Sequence, residues 1–276
     1  MKSFEKKVAA ITGAGSGIGR ALAVKLAQQG CNLSLSDVNE KGLAETVGLA
    51  QAYGVKVTSA KVDVAKLEQM QAWAAATAKE HGKVNLIFNN AGVALGSTVE
   101  GMSYEELEWL MGINFWGVVY GIKEFMPHLK ASGDGHIINI SSIFGLGSQP
   151  SQGAYNASKF AVRGYTEALR QELDLQQCGV SATCVHPGGI KTNIAKAARM
   201  NDSMKSIGID PKKGQQNFEK FLHVTPDDAA DAILNGVKKN ARRVLIGAEA
   251  YAFDAMQRLL PTGYQKLVTM GTKFMQ

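Results

Sequence analysis

Apolar positions along most of the chain alternate between two periods. Val8 to Thr12, Asn32 to Ser36, Val84 to Phe88, His136 to Ile140 and Val180 to Val185 are short apolar runs of strand length. Val55 to Lys61 alternates in the manner of a half-buried strand, and Val244 to Ile246 offers a last one. Between these runs apolar residues recur every three or four, as Ile18, Leu22 and Leu26 do, which stacks them on one face of a helix. Further helices are predicted over residues 39–50, up to about His81, from Tyr104 to about Lys130, and from about Gly153 to about Gln176. Another starts after Thr225, with Pro226 suited to the first helical position. This strand-helix rhythm predicts an α/β fold, a parallel sheet doubly wound with helices on both faces and ligands bound at the carboxyl ends of its strands.

Two stretches fall outside the rhythm. Residues 194–225 carry no clean period, and Pro211 and several glycines mark a long connection of the kind that is usually functional or disordered. The region at about 190–225 supplies Ile190, Ile194, Met200, Met204, Ile207, Ile209, Phe218, Phe221 and Leu222. These are expected to form an apolar lid over a substrate pocket, simple packing onto the sheet being the alternative. Residues 251–276 form a C-terminal extension, divided by Pro261 and Gly263 into two short pieces that are expected to cover the pocket or a neighbouring subunit.

With 276 residues, 45% of them apolar and 20% charged, the chain can bury the core of one large domain over residues 1–276, which excludes a disordered or fibrous protein. Cys31, Cys178 and Cys184 form no CxxC pair, and His81, His128, His136, His186 and His223 show no ligand spacing, so no metal or disulfide framework is expected. The N-terminus does not read as a signal peptide, and no apolar stretch reaches the ~18 residues of a spanning helix; a soluble, cytoplasmic protein is expected. The net charge of +6 is uneven: basic and acidic residues balance at 16 each through residue 190, and then stand at 14 against 8. No basic run with interleaved aromatics accompanies this excess, which argues against nucleic-acid binding. Joined to the apolar lid, it suggests a long apolar substrate with an acidic head group, or contact of the extension with an anionic membrane surface; a solvated basic surface is the plainer alternative.

Three stretches carry candidate chemistry. In TGAGSGIG, residues 12–19, glycines at 13, 15, 17 and 19 allow the backbone to approach a pyrophosphate, and the helix that follows presents free N–H groups. The spacing is TGxxxGxG and not GxGxxG. Asp37, about 20 residues on, can accept hydrogen bonds from ribose hydroxyls and repel a 2′-phosphate, or it can cap the next helix. Neither Ala14 nor Val38 supplies a compensating positive charge, so NAD(H) is favoured over NADP(H), with Arg20 or Lys41 the groups that would reverse the preference. Asn114 is a lone amide in an apolar run and must find partners. Tyr155 and Lys159 lie four apart, on one helical face; a cation held close lowers a phenol from its usual value near ~10 by roughly 1 to 3 units, which makes it an acid or base near neutrality.

Taken in order, TGxxxGxG at 12–19, Asp63, NNAG at 89–92, Asn114, ISS ending at Ser142, YxxxK at 155 and 159, and PGG followed by Thr192 resemble the short-chain dehydrogenase/reductase family, to about residue 250. The resemblance implies a Rossmann-like, nicotinamide-dependent oxidoreductase that interconverts a carbonyl compound and an alcohol. It implies a catalytic tetrad in which Ser142 positions the substrate oxygen and Tyr155 passes the proton. Lys159 lowers the pKa of the tyrosine and binds the nicotinamide ribose, while Asn114 holds a water linking Lys159 to solvent. Cofactor contacts are implied at Gly13, Ser16, Gly17, Ile18, Gly19, Asp37, Asp63, Val64, Asn90, Ala91, Gly92, Pro187, Gly188, Ile190 and Thr192, besides Tyr155 and Lys159. It also implies a homodimer or homotetramer built through the helices at 104–130 and 153–176, where Phe115, Trp116, Phe160, Tyr165 and Leu169 lie. A nucleotide sensor of the same fold without turnover is the alternative, against which the intact tetrad argues. A nucleotide-sugar epimerase would show TGxxGxxG, a pattern that Ser16 and Ile18 break.

Overall fold

The computed structural model describes residues 1–274, and of these the side chains of Asn217, Phe218, Lys220 and Phe274 lie outside the description. The strands are β1 (Val8–Thr12), β2 (Asn32–Asp37), β3 (Val57–Lys61), β4 (Leu86–Asn89), β5 (Leu95–Gly96), β6 (Gly135–Ile140), β7 (Val180–Pro187), β8 (Arg199–Met200) and β9 (Arg243–Ile246). The helices are α1 (Gly17–Gln28), α2 (Glu40–Gln51), α3 (Leu67–His81), α4 (Tyr104–Met111), α5 (Gly117–Ser132), α6 (Gly153–Gln176), α7 (Pro211–Lys220), α8 (Pro226–Lys238), α9 (Ala248–Leu259) and α10 (Tyr264–Phe274).

Seven strands form one parallel sheet in the order β3-β2-β1-β4-β6-β7-β9, so the chain reverses its winding direction between β1 and β4. Side chains along each strand alternate between the two faces. Ile11, Phe88, Ile138 and Val185 meet α1, α2 and α8 on one side, while Ala10, Ile87, Ile137 and Ala182 meet α3, α5 and α6 on the other. Strands buried on both faces read as continuous apolar runs, which is why the sequence shows them so clearly. The crevice at the reversal point opens where β1 ends at Thr12 and β4 ends at Asn89.

The helix predicted from Tyr104 to about Lys130 is one rod with an interruption. α4 runs into a single π-helical turn, Gly112–Trp116, which then passes into α5. The turn buries Asn114 completely. Between residues 190 and 225 the chain is more regular than its sequence period suggested. β5 pairs with β8, tying residues 199–200 to the segment after β4, a short 3-10 helix spans Asp202–Ile207, and α7 follows. The strand predicted over Val180 to Val185 runs two residues further, since β7 continues to Pro187. α8 starts as expected: Thr225 Oγ1 accepts the Asp228 N–H. The two pieces of the extension become the end of α9 and α10; the buried Tyr264 ring packs edge-on against Phe253, and its hydroxyl accepts the Ser148 N–H at 3.0 Å.

Candidate active site

One cavity of about 800 Å³ runs from Asp37 at the end of β2, across the glycine turn, to the lid and the C-terminal helices. Its near half fits a dinucleotide. Gly13 has φ +64° and lies so close to Ala91 that an added Cβ would fall 2.9 Å from the Ala91 Cα. At Gly19 an added Cβ would strike the Gly13 carbonyl, so the first turn of α1 seats directly on the loop. That turn carries no acidic residue, and Ser16 at its N-cap makes no side-chain cap, which leaves its N–H groups and positive end to an anion. Ser16, Gly17 and Ile18 line the cavity there. Thr12 holds the frame: its hydroxyl accepts the N–H groups of Asn90 and Ala91 at 2.9 and 3.0 Å, and the Asn90 amide returns to the carbonyls of Thr12 and Gly13 at 2.9 and 3.1 Å.

Asp37 faces this turn. Its Oδ2 accepts the Gly15 N–H at 2.7 Å and its Oδ1 accepts the Asn39 N–H at 2.8 Å. It does not cap α2, because Asn39 does so by accepting from the Gly42 N–H. Arg20 is engaged elsewhere, with Glu45, Thr46 and the carbonyls of Gly15 and Gly42. Asp63 and Val64 line the same end of the cavity, with the Asp63 Oδ1 accepting the Ala65 N–H. Gly92, Pro187, Gly188, Ile190 and Thr192 line its middle. Gly19 and Asn114 stand behind the wall, outside the cavity lining.

At the centre, α6 and the end of β6 bring Ser142, Tyr155 and Lys159 together. Lys159 is almost wholly buried, and its ammonium donates to the Ile140 carbonyl at 3.0 Å, 5.5 Å from the centre of the Tyr155 ring. Ser142 and the half-buried Tyr155 both line the cavity, and the Ser142 hydroxyl accepts the Phe144 N–H at 3.2 Å. Ser141 points away and donates to the Lys159 carbonyl at 2.9 Å, which separates the two serines into an anchor and a site residue. Asn114 pairs with the Val93 backbone, accepting from its N–H at 2.8 Å and donating to its carbonyl at 2.9 Å. Its amide also reaches Ser158, whose hydroxyl donates to the Tyr155 carbonyl. The Asn114 amide is thus satisfied, and through Ser158 it supports the helix turn bearing Tyr155.

The electrostatics correct one expectation. Burial pushes the Tyr155 phenol up to about 12, Ser142 opposing it, and not down toward neutrality. Burial likewise pushes Lys159 down to about 8. The ammonium lies over the ring, and its hydrogen bond goes to a carbonyl, so desolvation outweighs the charge of the lysine. His186, forced by burial down to about 4, is neutral and donates from Nδ1 to the Ser142 carbonyl at 3.0 Å.

The far half of the cavity is mainly apolar. Ile194, Met200, Met204, Ile209, Phe221 and Leu222 of the lid line it, as Ile190 does; Ile207 stands outside it and Phe218 outside the described side chains. Phe253, Val268, Gly271 and Thr272 close it from the C-terminal helices. Glu249 also reaches the wall, and no local motif marks it.

Comparison with known proteins agrees with this geometry. The family model described as short chain dehydrogenase matches residues 7–203. A Mycobacterium tuberculosis protein named as an oxidoreductase, SadH, is 50% identical over 98% of this chain and 97% of its own. A crystal structure of a short chain dehydrogenase/reductase from Burkholderia phymatum in complex with NAD is similar at TM-score 0.87 and 33% identity, over 95% of this chain and 96% of that one. An alcohol dehydrogenase from the archaeon Thermococcus sibiricus complexed with 5-hydroxy-NADP is similar at TM-score 0.72 and 26% identity, over 87% of this chain and 95% of the other.

The buried lysine generates a prediction. Its folded value of about 8 lies below the ordinary 10.5, so between those values the unfolded chain binds more protons and stability rises with pH. Below pH 8 the full burial cost is present. Without added nucleotide, wild type should therefore gain roughly 3 kcal/mol relative to Lys159→Met between pH 7 and 10, read from urea denaturation. Parallel stability curves for the two proteins would contradict it.

Proposed function

The chain belongs to the short chain dehydrogenase family, and on that premise we propose that it is an NAD(H)-preferring oxidoreductase interconverting an apolar carbonyl compound and its alcohol. The observation that carries the reading is the convergence of Ser142, Tyr155 and Lys159 between a dinucleotide cradle and an apolar chamber in one cavity. When bound, the nicotinamide cofactor supplies the hydride. Ser142 orients the substrate oxygen beside the Tyr155 hydroxyl. With a pKa of about 12 the phenol is protonated at neutral pH, ready to donate to a developing alkoxide. Lys159 holds this arrangement from beneath, and its ammonium is directed at the same end of the cavity. The lid methionines and Phe144 and Phe253 exclude water and favour an apolar body over a polar one.

Self-association belongs to the same proposal. Trp116, Phe160 and Tyr165 are exposed on the helices at 104–130 and 153–176, and Phe115 packs edge-on against Tyr165 at 5.9 Å. Such an aromatic patch is unusual on a monomer and supports a homodimer or homotetramer. Light scattering at micromolar concentration should give at least twice the chain mass; a monomer mass would refute it.

A panel of ketones, aldehydes and secondary alcohols tested with NADH, NADPH and their oxidised forms examines the activity itself. Tyr155→Phe removes the proton donor and should lower kcat by ~10² to 10⁴-fold while nucleotide binding persists. Retention of more than about a tenth of wild-type kcat would exclude this role for the phenol. Asp37 supports the NAD(H) preference, because its carboxylate lies beside Gly15 and would meet a 2′-phosphate with like charge. Asp37→Ala should narrow the ratio of kcat/KM for NADH over NADPH by about 10-fold or more. A wild-type protein that uses NADPH better than NADH would contradict the preference.

A further inference from the structure

The loop that follows β7 is held from outside the sheet. Both backbone groups of Gly189 are engaged by segments remote in sequence: its N–H donates to Glu249 Oε1 at 2.6 Å, and its carbonyl accepts the N–H groups of His223 and Val224 at 3.0 and 3.1 Å. The second oxygen of Glu249 lies 3.0 Å from His223 Nε2, and the other ring nitrogen of that histidine meets the Phe221 carbonyl at 2.9 Å. One carboxylate thus holds the cofactor-side loop through Oε1, while Oε2 lies against the returning end of the lid without a hydrogen-bond partner among the described residues. Gly188 makes room for it, since an added Cβ there would collide with Oε1. The helix that presents Glu249 is itself fixed, for Arg243 on β9 donates to Asp254 at 2.9 Å one turn further along α9. Glu249 lies well beyond residues 7–203, the part that the family model matches.

We propose that Glu249 is a positioning residue: through the Gly189 N–H its carboxylate sets the Gly188–Gly189 backbone, and with it the height at which Ile190 and Thr192 face the nucleotide. The inference rests on the nucleotide-binding reading above. Of its two contacts, the one to Gly189 dominates. His223 is more than half exposed, and its contact with Oε2 is not a hydrogen bond, so it contributes little. A short hydrogen bond from a backbone N–H to a carboxylate is among the stronger kind, and its loss strands a partly buried donor.

The test is titration of the full chain with NADH, followed by nucleotide fluorescence, for wild type and for Glu249→Ala, Glu249→Gln and Glu249→Asp, each checked for folding by circular dichroism and melting temperature. Glu249→Gln keeps an acceptor at the same reach and should bind within about 3-fold of wild type, whereas Glu249→Ala and the shorter Glu249→Asp should raise Kd by about 10-fold or more. A purely structural role would lower the melting temperature and leave the Kd of the folded variants unchanged. Folded Glu249→Ala with wild-type affinity would overturn the proposal, as would wild-type affinity in Glu249→Asp combined with loss in Glu249→Gln, which would make charge and not position the requirement. Should Glu249→Ala fail to fold, the order of the Gln and Asp variants decides alone. A wild-type chain that binds neither NADH nor NADPH would instead remove the nucleotide reading, and this inference with it.

Discussion

A lysine ammonium buried at the end of a parallel sheet is the constraint around which this protein is assembled. Removing that charge from water is costly unless its protons find acceptors, and Lys159 finds one in the Ile140 carbonyl at the end of β6. This contact requires α6 to cross the strand end at close range, where Ser141 ties the Lys159 carbonyl to the same place. Tyr155, one turn earlier on the same face, is thereby carried to Ser142. The geometry of the pair follows from anchoring a helix to a strand end at two points.

A second set of contacts holds α6 from its other side. The π-turn at Gly112–Trp116 buries Asn114, which pairs with the Val93 backbone and with Ser158, and Ser158 bonds the Tyr155 carbonyl. π-turns are costly relative to a regular helix and occur often at functional sites. Here the turn aims one amide at a backbone segment that leaves β4, so the end of that strand and the helix bearing Tyr155 are fixed to each other. The glycine turn and the helix bearing Tyr155 and Lys159 are thus parts of one hydrogen-bonded frame, with Thr12 and Asn90 as the links at its other end.

What the sequence made legible was local. Strands buried on both faces, glycines at fixed spacing after β1, and a tyrosine and lysine one helical turn apart are written in neighbouring residues. Ser141 and Ser142, adjacent in sequence, differ in their contacts: the first hydroxyl donates to the Lys159 carbonyl and the second accepts the Phe144 N–H. Contacts between distant segments were not legible. No periodicity marks the π-turn, because its neighbours are ordinary helix formers. In the region at 190–225 the two-residue β8 exists only through its pairing with β5, which no local period reports. Four-residue spacing places Tyr155 near a cation but says nothing of how far both groups are removed from water, and burial is what raises the phenol. Glu249 is 60 residues from the glycine it holds, and a lone glutamate at the start of a helix carries no signal.

The proposed function requires this frame to hold a substrate carbonyl so that its carbon receives the hydride of the reduced nicotinamide and its oxygen receives the Tyr155 proton. Its most direct measurement is reduction of an apolar ketone by NADH deuterated at the transferable nicotinamide position, with the alcohol product analysed by mass spectrometry. Deuterium on the carbinol carbon with wild type, and its loss with Tyr155→Phe protein that still binds NADH, is the predicted result. Absence of deuterium transfer to any carbonyl compound by folded, nucleotide-bound wild type would contradict the claim.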